Sequence, residues 1–204
     1  MVRKQNLPYY EIEGRLYHRV TRVISVLKDP EYEDFGGRKD LNNAARFGTK
    51  VHQRIERFWE GRKQKAFEIP EEESCWQAFT DWQKSRQVVP EAFEHRIHLA
   101  SPNVAGTIDL LEPGIVTDFK TSSRILWKHH LQCAAYCYMT GKARYRILRL
   151  DKNLGLFEEV VRDFRSELWD CFLGCFTNYL ALYGRKIESD WMNQIAQHTT
   201  ELVQ

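Results

Sequence analysis

Asp109, Asp118 and Lys120 are the residues of this chain whose types and spacing point most directly to chemistry. Asp118-Phe119-Lys120 closes the apolar run Ile115–Phe119 and is the only Asp/Glu-x-Lys tripeptide in the 204 residues. In a strand, positions two apart share a face, so Asp118 and Lys120 project together while Phe119 turns into a core. Asp109 ends the neighbouring strand, one short turn away, which brings all three groups to one sheet edge. Two carboxylates offer Mg2+ or Mn2+ the hard oxygen ligands these ions prefer. A lysine beside the ion orients or deprotonates a water, or offsets developing charge. Phosphodiester hydrolysis needs those parts: a cation on a non-bridging oxygen, an activated water and stabilisation of the pentacovalent state.

Two further groups extend the cleft. Gln132 and Tyr136 are four residues apart on the helix that follows Lys120-Thr121-Ser122-Ser123, so they share a face. An amide and a phenol there suit phosphate oxygens, or are simply a surface Gln and a half-buried Tyr. His52 precedes Glu56 by four residues on a helix opened by Gly48-Thr49; its imidazole suits Mn2+ better than Mg2+, or packs as a structural histidine.

The elements that must position these groups follow from pattern. Tyr9–Ile12 and Leu16–His18 flank Glu13-Gly14-Arg15 as a hairpin, and Thr21 caps a short helix carrying Val23, Ile24 and Leu27. Residues 31–39 form a loop, loosest at Gly36-Gly37. Thr49 N-caps a helix to about Glu60 with the stripe Val51, Ile55, Phe58 and Trp59. A second helix starts near Pro70, with Glu71–Glu73 in its first turn and Trp76, Phe79 and Trp82 on its buried side. Phe93–Leu99, Val104–Leu111 and Ile115–Phe119 are strands divided by turn-forming Ser101-Pro102-Asn103 and Glu112-Pro113-Gly114. A helix from Ile125 to Met139 stops at Gly141; Tyr145–Leu150 and Gly155–Val161 pair; and a long helix over Phe164–Tyr183 ends at Gly184. The resulting order is an α/β αβββαβ core, a mixed sheet flanked by helices, with extra helices at both ends. It reads as one domain: an extension over 1–47, a core over 48–161, a helix over 162–184 and a polar tail over 185–204.

These motifs, in this order, resemble the PD-(D/E)xK nuclease superfamily, and within it the RecB-type exonuclease branch that includes CRISPR-adaptation nucleases and the mitochondrial genome maintenance exonuclease. Gly48-Thr49-Lys50-Val51-His52 with Glu56 is similar to the branch's first helix. Phe93-Glu94 with Gly106-Thr107-Ile108-Asp109, then Asp118-Phe119-Lys120-Thr121, then Gln132-x-x-x-Tyr136 are similar to its later motifs. Tyr17 and Val20-Thr21-Arg22-Val23-Ile24 resemble an N-terminal segment of phage-type members. The resemblance implies a restriction-endonuclease-like fold and a metal held by His52, Asp109, Asp118 and the Phe119 carbonyl. It also implies a catalytic Lys120, substrate phosphate on Gln132, Tyr136 and Thr121, and supporting roles for Glu56 and Glu94. Many members hold an iron–sulfur cluster through one early and three late cysteines. Here no cysteine precedes Cys75 and none follows Cys175, so no cluster is expected.

Bulk properties fit an enzyme acting on a polyanion. Residues 1–65 carry 15 Lys/Arg against 9 Asp/Glu, although the whole chain has a net charge of only +2. No apolar run reaches the roughly 20 residues of a membrane span, and the polar N-terminus lacks a secretory signal. The expectation is a soluble cytoplasmic protein, bacterial or phage-like. Cys133/Cys137 and Cys171/Cys175 are each four apart, as two-helix metal ligands or as small buried hydrophobes. Tyr9, Tyr10, Tyr32 and Phe35 offer stacking surfaces for unpaired bases, or pack locally. The leading reading is a Mg2+/Mn2+-dependent DNA exonuclease on single-stranded or frayed ends, with any helicase or recombination partner a separate chain. A structure-specific or nicking endonuclease with the same site is the alternative. A nucleic-acid-binding protein on a retired nuclease fold is the third reading.

Overall fold

The computed structural model describes residues 9–27 and 38–201, and side chains as far as residue 186 with 38–41 left aside. The expected loop at Gly36-Gly37, and Tyr32 and Phe35 within it, lie outside the described residues. The hairpin β1 (Tyr9–Ile12) and β2 (Arg15–Arg19) leads into a short helix, α1 (Val20–Val23), prolonged by one 3-10 turn. Then follow α2 (Arg38–Trp59), α3 (Pro70–Arg86), β3 (Ala92–Leu99), β4 (Val104–Glu112) and β5 (Ile115–Lys120). The crossover helix α4 (Trp127–Thr140), β6 (Arg144–Leu150), β7 (Phe157–Asp163) and α5 (Ser166–Glu201) complete the chain. The seven strands form one mixed sheet in the order β1-β2-β4-β5-β6-β7, with β3 paired to β4. The α/β reading and its αβββαβ core hold.

Three boundaries differ from expectation. Thr49 is not an N-cap: α2 begins eleven residues earlier, and the Thr49 hydroxyl donates to the Ala45 carbonyl one turn back. Residues 38–47 are rich in Arg, Lys, Leu and Ala, which outweigh one glycine at 48. Thr21 lies inside α1, whose N-cap position is Arg19 with no side-chain cap. Gly184 does not stop α5, which runs to Glu201; a single helical glycine costs only about 1 kcal/mol. Gly141, by contrast, does end α4, at a φ of 69° that a side chain would resist.

Two apolar cores lie on the two sheet faces. Val20, Val23, Ile108, Val116, Leu131, Ala135, Tyr136, Ile147 and Phe172 join the sheet to α1, α4 and α5. Val51, Ile55, Phe79, Trp82, Leu110, Phe119 and Leu148 join it to α2 and α3. Cys133, Cys137 and Cys175 pack as hydrophobes in the first core, while Cys171 is exposed. Among the described residues no helix is long and apolar enough to cross a membrane.

The N-terminus of α4 makes a pH prediction. The Leu126 N–H donates to His129 Nδ1 at 3.1 Å, so that nitrogen must be unprotonated. Burial pushes His129 down to about 2 and His130, whose Nδ1 lies 3.0 Å from the Tyr145 hydroxyl, down to about 4. The unfolded chain takes up a proton at each histidine near pH 6.5, and the folded chain does not. Stability is therefore present above pH 6.5 and falls below it, by about 2 kcal/mol for His129 at pH 5. Melting curves of wild type and His129→Gln between pH 5 and 7.5 isolate this group, since glutamine keeps an acceptor at the third helical position. The wild type is expected to lose several degrees more than the variant on acidification. Parallel curves would refute a neutral buried His129.

Candidate metal centre

β4 is flanked on one side by β3 along most of its length, Leu99↔Val104 to Ala92↔Leu111. On its other side it pairs β2 only at Val104 and Ala105, and β5 only from Leu110 onward. Between those short ladders, β4 and β5 part. Asp109 and Asp118 would be the next pair, but Asp109 Oδ2 instead accepts the Phe119 N–H at 2.7 Å. The site therefore lies inside the sheet, where two strands splay. The expected sheet edge is corrected, and so is Asp109 as a strand end, since β4 runs on to Glu112.

The pleat also changes phase here. Ile97 and Leu99 of β3 pack in the α4/α5 core, yet Phe93, which a regular strand would place on their face, packs in the α2/α3 core. Ile108 and Leu110 of β4 divide in the same way. Glu94, at the changeover, has a φ of 46°, a conformation that costs a non-glycine residue about 1–3 kcal/mol. The register of β3 on β4 sets Glu94 opposite Asp109, and their carboxylates lie side by side at this changeover.

His52 reaches this point from α2. Its Nδ1 lies 3.3 Å from Asp109 Oδ1 and 3.9 Å from Glu94 Oε1, and its Nε2 lies 3.1 Å from the Phe119 carbonyl oxygen. Ligand atoms of His52, Glu94 and Asp109 all fall within 4.8 Å of one another. The imidazole and the two carboxylates form a donor set suited to Mn2+ or Mg2+, while the Phe119 carbonyl holds the other ring nitrogen of His52. Burial disfavours charge on His52, but the Asp109 carboxylate prevails and holds it up at about 9. Asp109 is likewise buried, yet the facing His52 keeps its carboxyl below the usual range.

Asp118 is more deeply enclosed, and burial pushes it up to about 6 against the pull of Lys120. Its Oδ2 forms an ion pair with Lys120 Nζ at 2.6 Å but takes no aligned hydrogen bond; its Oδ1 accepts from Gln132 Nε2 at 2.8 Å. Lys120 also donates to Gln132 Oε1 at 3.1 Å. Buried as it is, Lys120 is held above its ordinary range by Asp118 and Asp109.

Gln132 and Tyr136 share the expected helix face but are almost wholly buried, and they hydrogen-bond each other at 3.4 Å. Gly106 makes room for the phenol: a Cβ there would sit 2.4 Å from Tyr136 Cε1. Thr121 lies just beyond β5, its hydroxyl 3.5 Å from where a Gly48 Cβ would be. Glu56, one turn beyond His52, is not among the converging ligands.

One cluster escaped the sequence reading in part, which offers Tyr10 as a stacking surface but not the two arginines that cover it. Tyr10 Oη lies 3.3 Å from Thr107 Oγ1 and accepts from Arg19 Nη2 at 3.3 Å. The guanidinium carbons of Arg19 and Arg96 lie 4.8 and 5.1 Å from its ring centroid. Arg96 pairs with Thr107, two residues before Asp109. Thr107 belonged to a recognised motif, but cross-strand pairing, which no local pattern reveals, supplies the two arginines. Tyr9, by contrast, is buried in the hairpin and offers no stacking face.

No protein-family model matches the chain, and no curated protein does. Solved structures do. The alkaline exonuclease LHK-Exo from Laribacter hongkongensis aligns with a TM-score of 0.53 at 13% identity, over 90% of this chain and 94% of that one. LHK-Exo in complex with dAMP gives 0.52 at 12%, with the same coverage. A phage-related exonuclease from Haemophilus somnus 129PT gives 0.48 at 13%, over 84% and 95%. This chain has the fold of the alkaline exonuclease LHK-Exo, a mixed sheet flanked by helices with the restriction-endonuclease-like core expected from the sequence resemblance.

Proposed function

We propose that the chain is a divalent-metal-dependent deoxyribonuclease that hydrolyses phosphodiester bonds as an exonuclease on single-stranded or frayed ends. The convergence of His52, Glu94 and Asp109 beside the Asp118–Lys120 pair carries this reading. Those three residues, with Asp118, are the ones to hold Mg2+ or Mn2+, and the Phe119 carbonyl orients the His52 ring. When bound, such an ion acts as a Lewis acid on the phosphoryl oxygen and lowers the pKa of a coordinated water. Lys120, an ammonium between Asp118 and Gln132, brings positive charge to the point where negative charge builds on the phosphoryl group. The paired arginines beside Tyr10 lie about one strand repeat along β4 from Asp109, where a substrate backbone leaving the centre would pass.

A time course on end-labelled linear single strands, duplexes and a covalently closed single-stranded circle tests the proposal. Cleavage of the linear strand is expected with Mn2+ or Mg2+ and none with a chelator. The circle is expected to survive, and prompt cutting of it would convert the reading to an endonuclease. Tight DNA binding with no cleavage under any metal would leave a binding protein on a nuclease fold.

A further inference from the structure

Gln132 stands where a phosphate contact was expected, but its amide is already committed. An ammonium can only donate and a carboxylate can only accept. The amide is therefore oriented by its neighbours: Oε1 receives Lys120, and the two N–H groups go to Asp118 Oδ1 and the Tyr136 hydroxyl. Tyr136 in turn is wedged against Gly106, with only 2% of its surface exposed. The chain of contacts runs from Gly106 through Tyr136 and Gln132 to both Asp118 and Lys120. Neither N–H of the amide is left for a substrate oxygen.

We infer that Gln132 is a positioning residue: it sets the orientation of Asp118 toward the metal and the reach of Lys120, and Tyr136 fixes Gln132 in turn. This rests on the metal-dependent nuclease reading. It assigns the pair to the protein side of the site, not to the substrate. Partners of metal ligands typically change metal affinity or activity 10–100-fold when lost.

The test measures Mn2+ binding by calorimetry without DNA, and kcat and KM on a single-stranded oligonucleotide at saturating Mn2+. Gln132→Leu is expected to weaken Mn2+ binding by about tenfold or more and to lower kcat, with KM within about twofold of wild type. Gln132→Glu, of equal size, sets a second carboxylate against Asp118 and should lower kcat equally. Tyr136→Phe removes only the hydroxyl and should act in the same direction but less. Should Gln132→Leu fail to fold by circular dichroism, the other two variants carry the test. An unchanged Mn2+ affinity with KM raised tenfold would make Gln132 a substrate contact and overturn the inference. A wild type that binds no Mn2+ would overturn the metal-centre reading beneath it. A wild type that binds Mn2+ and cleaves DNA, with all three variants indistinguishable from it, would overturn this inference alone.

Discussion

Lys120→Met is expected to lower DNA cleavage by on the order of 10²–10⁴-fold, the range in which a positioned proton-handling or charge-bearing side chain contributes. Methionine fills most of the lysine stem, so the loss reports the ammonium and not a cavity. The variant should also change Asp118. In the metal-free protein, with its ion-pair partner gone, a carboxyl already held at about 6 by burial shifts further toward the protonated form. Protonation spares the fold the cost of a buried, unpaired charge, which is typically 3–5 kcal/mol when an ion pair is broken on one side. Near-native melting with cleavage lost is therefore the expected pairing of results. Lys120→Arg keeps the charge, but its planar fork cannot reproduce one ammonium shared between Asp118 and Gln132 and should restore little. Single-turnover rates at saturating Mn2+, with melting temperatures alongside, decide the matter. A methionine variant retaining more than a tenth of wild-type rate would remove Lys120 from the mechanism.

Gly106→Ala should be the most damaging alanine substitution among the described glycines. The new carbon would lie 2.4 Å from Tyr136 Cε1, 2.7 Å from its oxygen and 2.9 Å from Cζ. The ring belongs to a buried side chain held by Gln132, so it cannot swing aside freely. Overpacking of this kind costs about 1–3 kcal/mol, or roughly 2–12 °C of melting temperature in a domain of this size. The displacement also passes through Gln132 to Asp118, so cleavage should fall at least tenfold at temperatures where the variant is folded. Tyr136→Leu added to Gly106→Ala removes the clash and should recover part of the stability. Strictly additive losses in the double variant would show that the two side chains do not meet.

Much of the site was legible before any coordinates because strand and helix periods are local. The Asp118-x-Lys120 spacing placed both groups on one face, and the four-residue spacing of Gln132 and Tyr136 did the same on α4. What could not be read were relations set by non-neighbouring strands. The parallel seam of β2 on β4 brings Arg19 and Tyr10 to Thr107, and nothing within either segment announces it. The splay that puts Asp109 inside the sheet depends on where the β4–β5 ladder begins. Helix ends misled for a different reason. Gly48-Thr49 and Gly184 carry the right residue types for boundaries, but α2 and α5 run through both, since one glycine costs a long helix only about 1 kcal/mol.

Glu94 carries a wider consequence. A left-handed backbone conformation inside a strand is one that glycine adopts without strain, and a glutamate does not. The position is thus chemically valuable and conformationally expensive at once. On the proposed ligand set, thermal robustness and nuclease competence pull in opposite directions at this residue. Selection for heat resistance alone would move the chain toward a glycine at 94 and away from a complete ligand set. Efforts to harden this protein without blunting it belong elsewhere, on the exposed face of α3 or in the β6–β7 turn, where no ligand depends on the backbone.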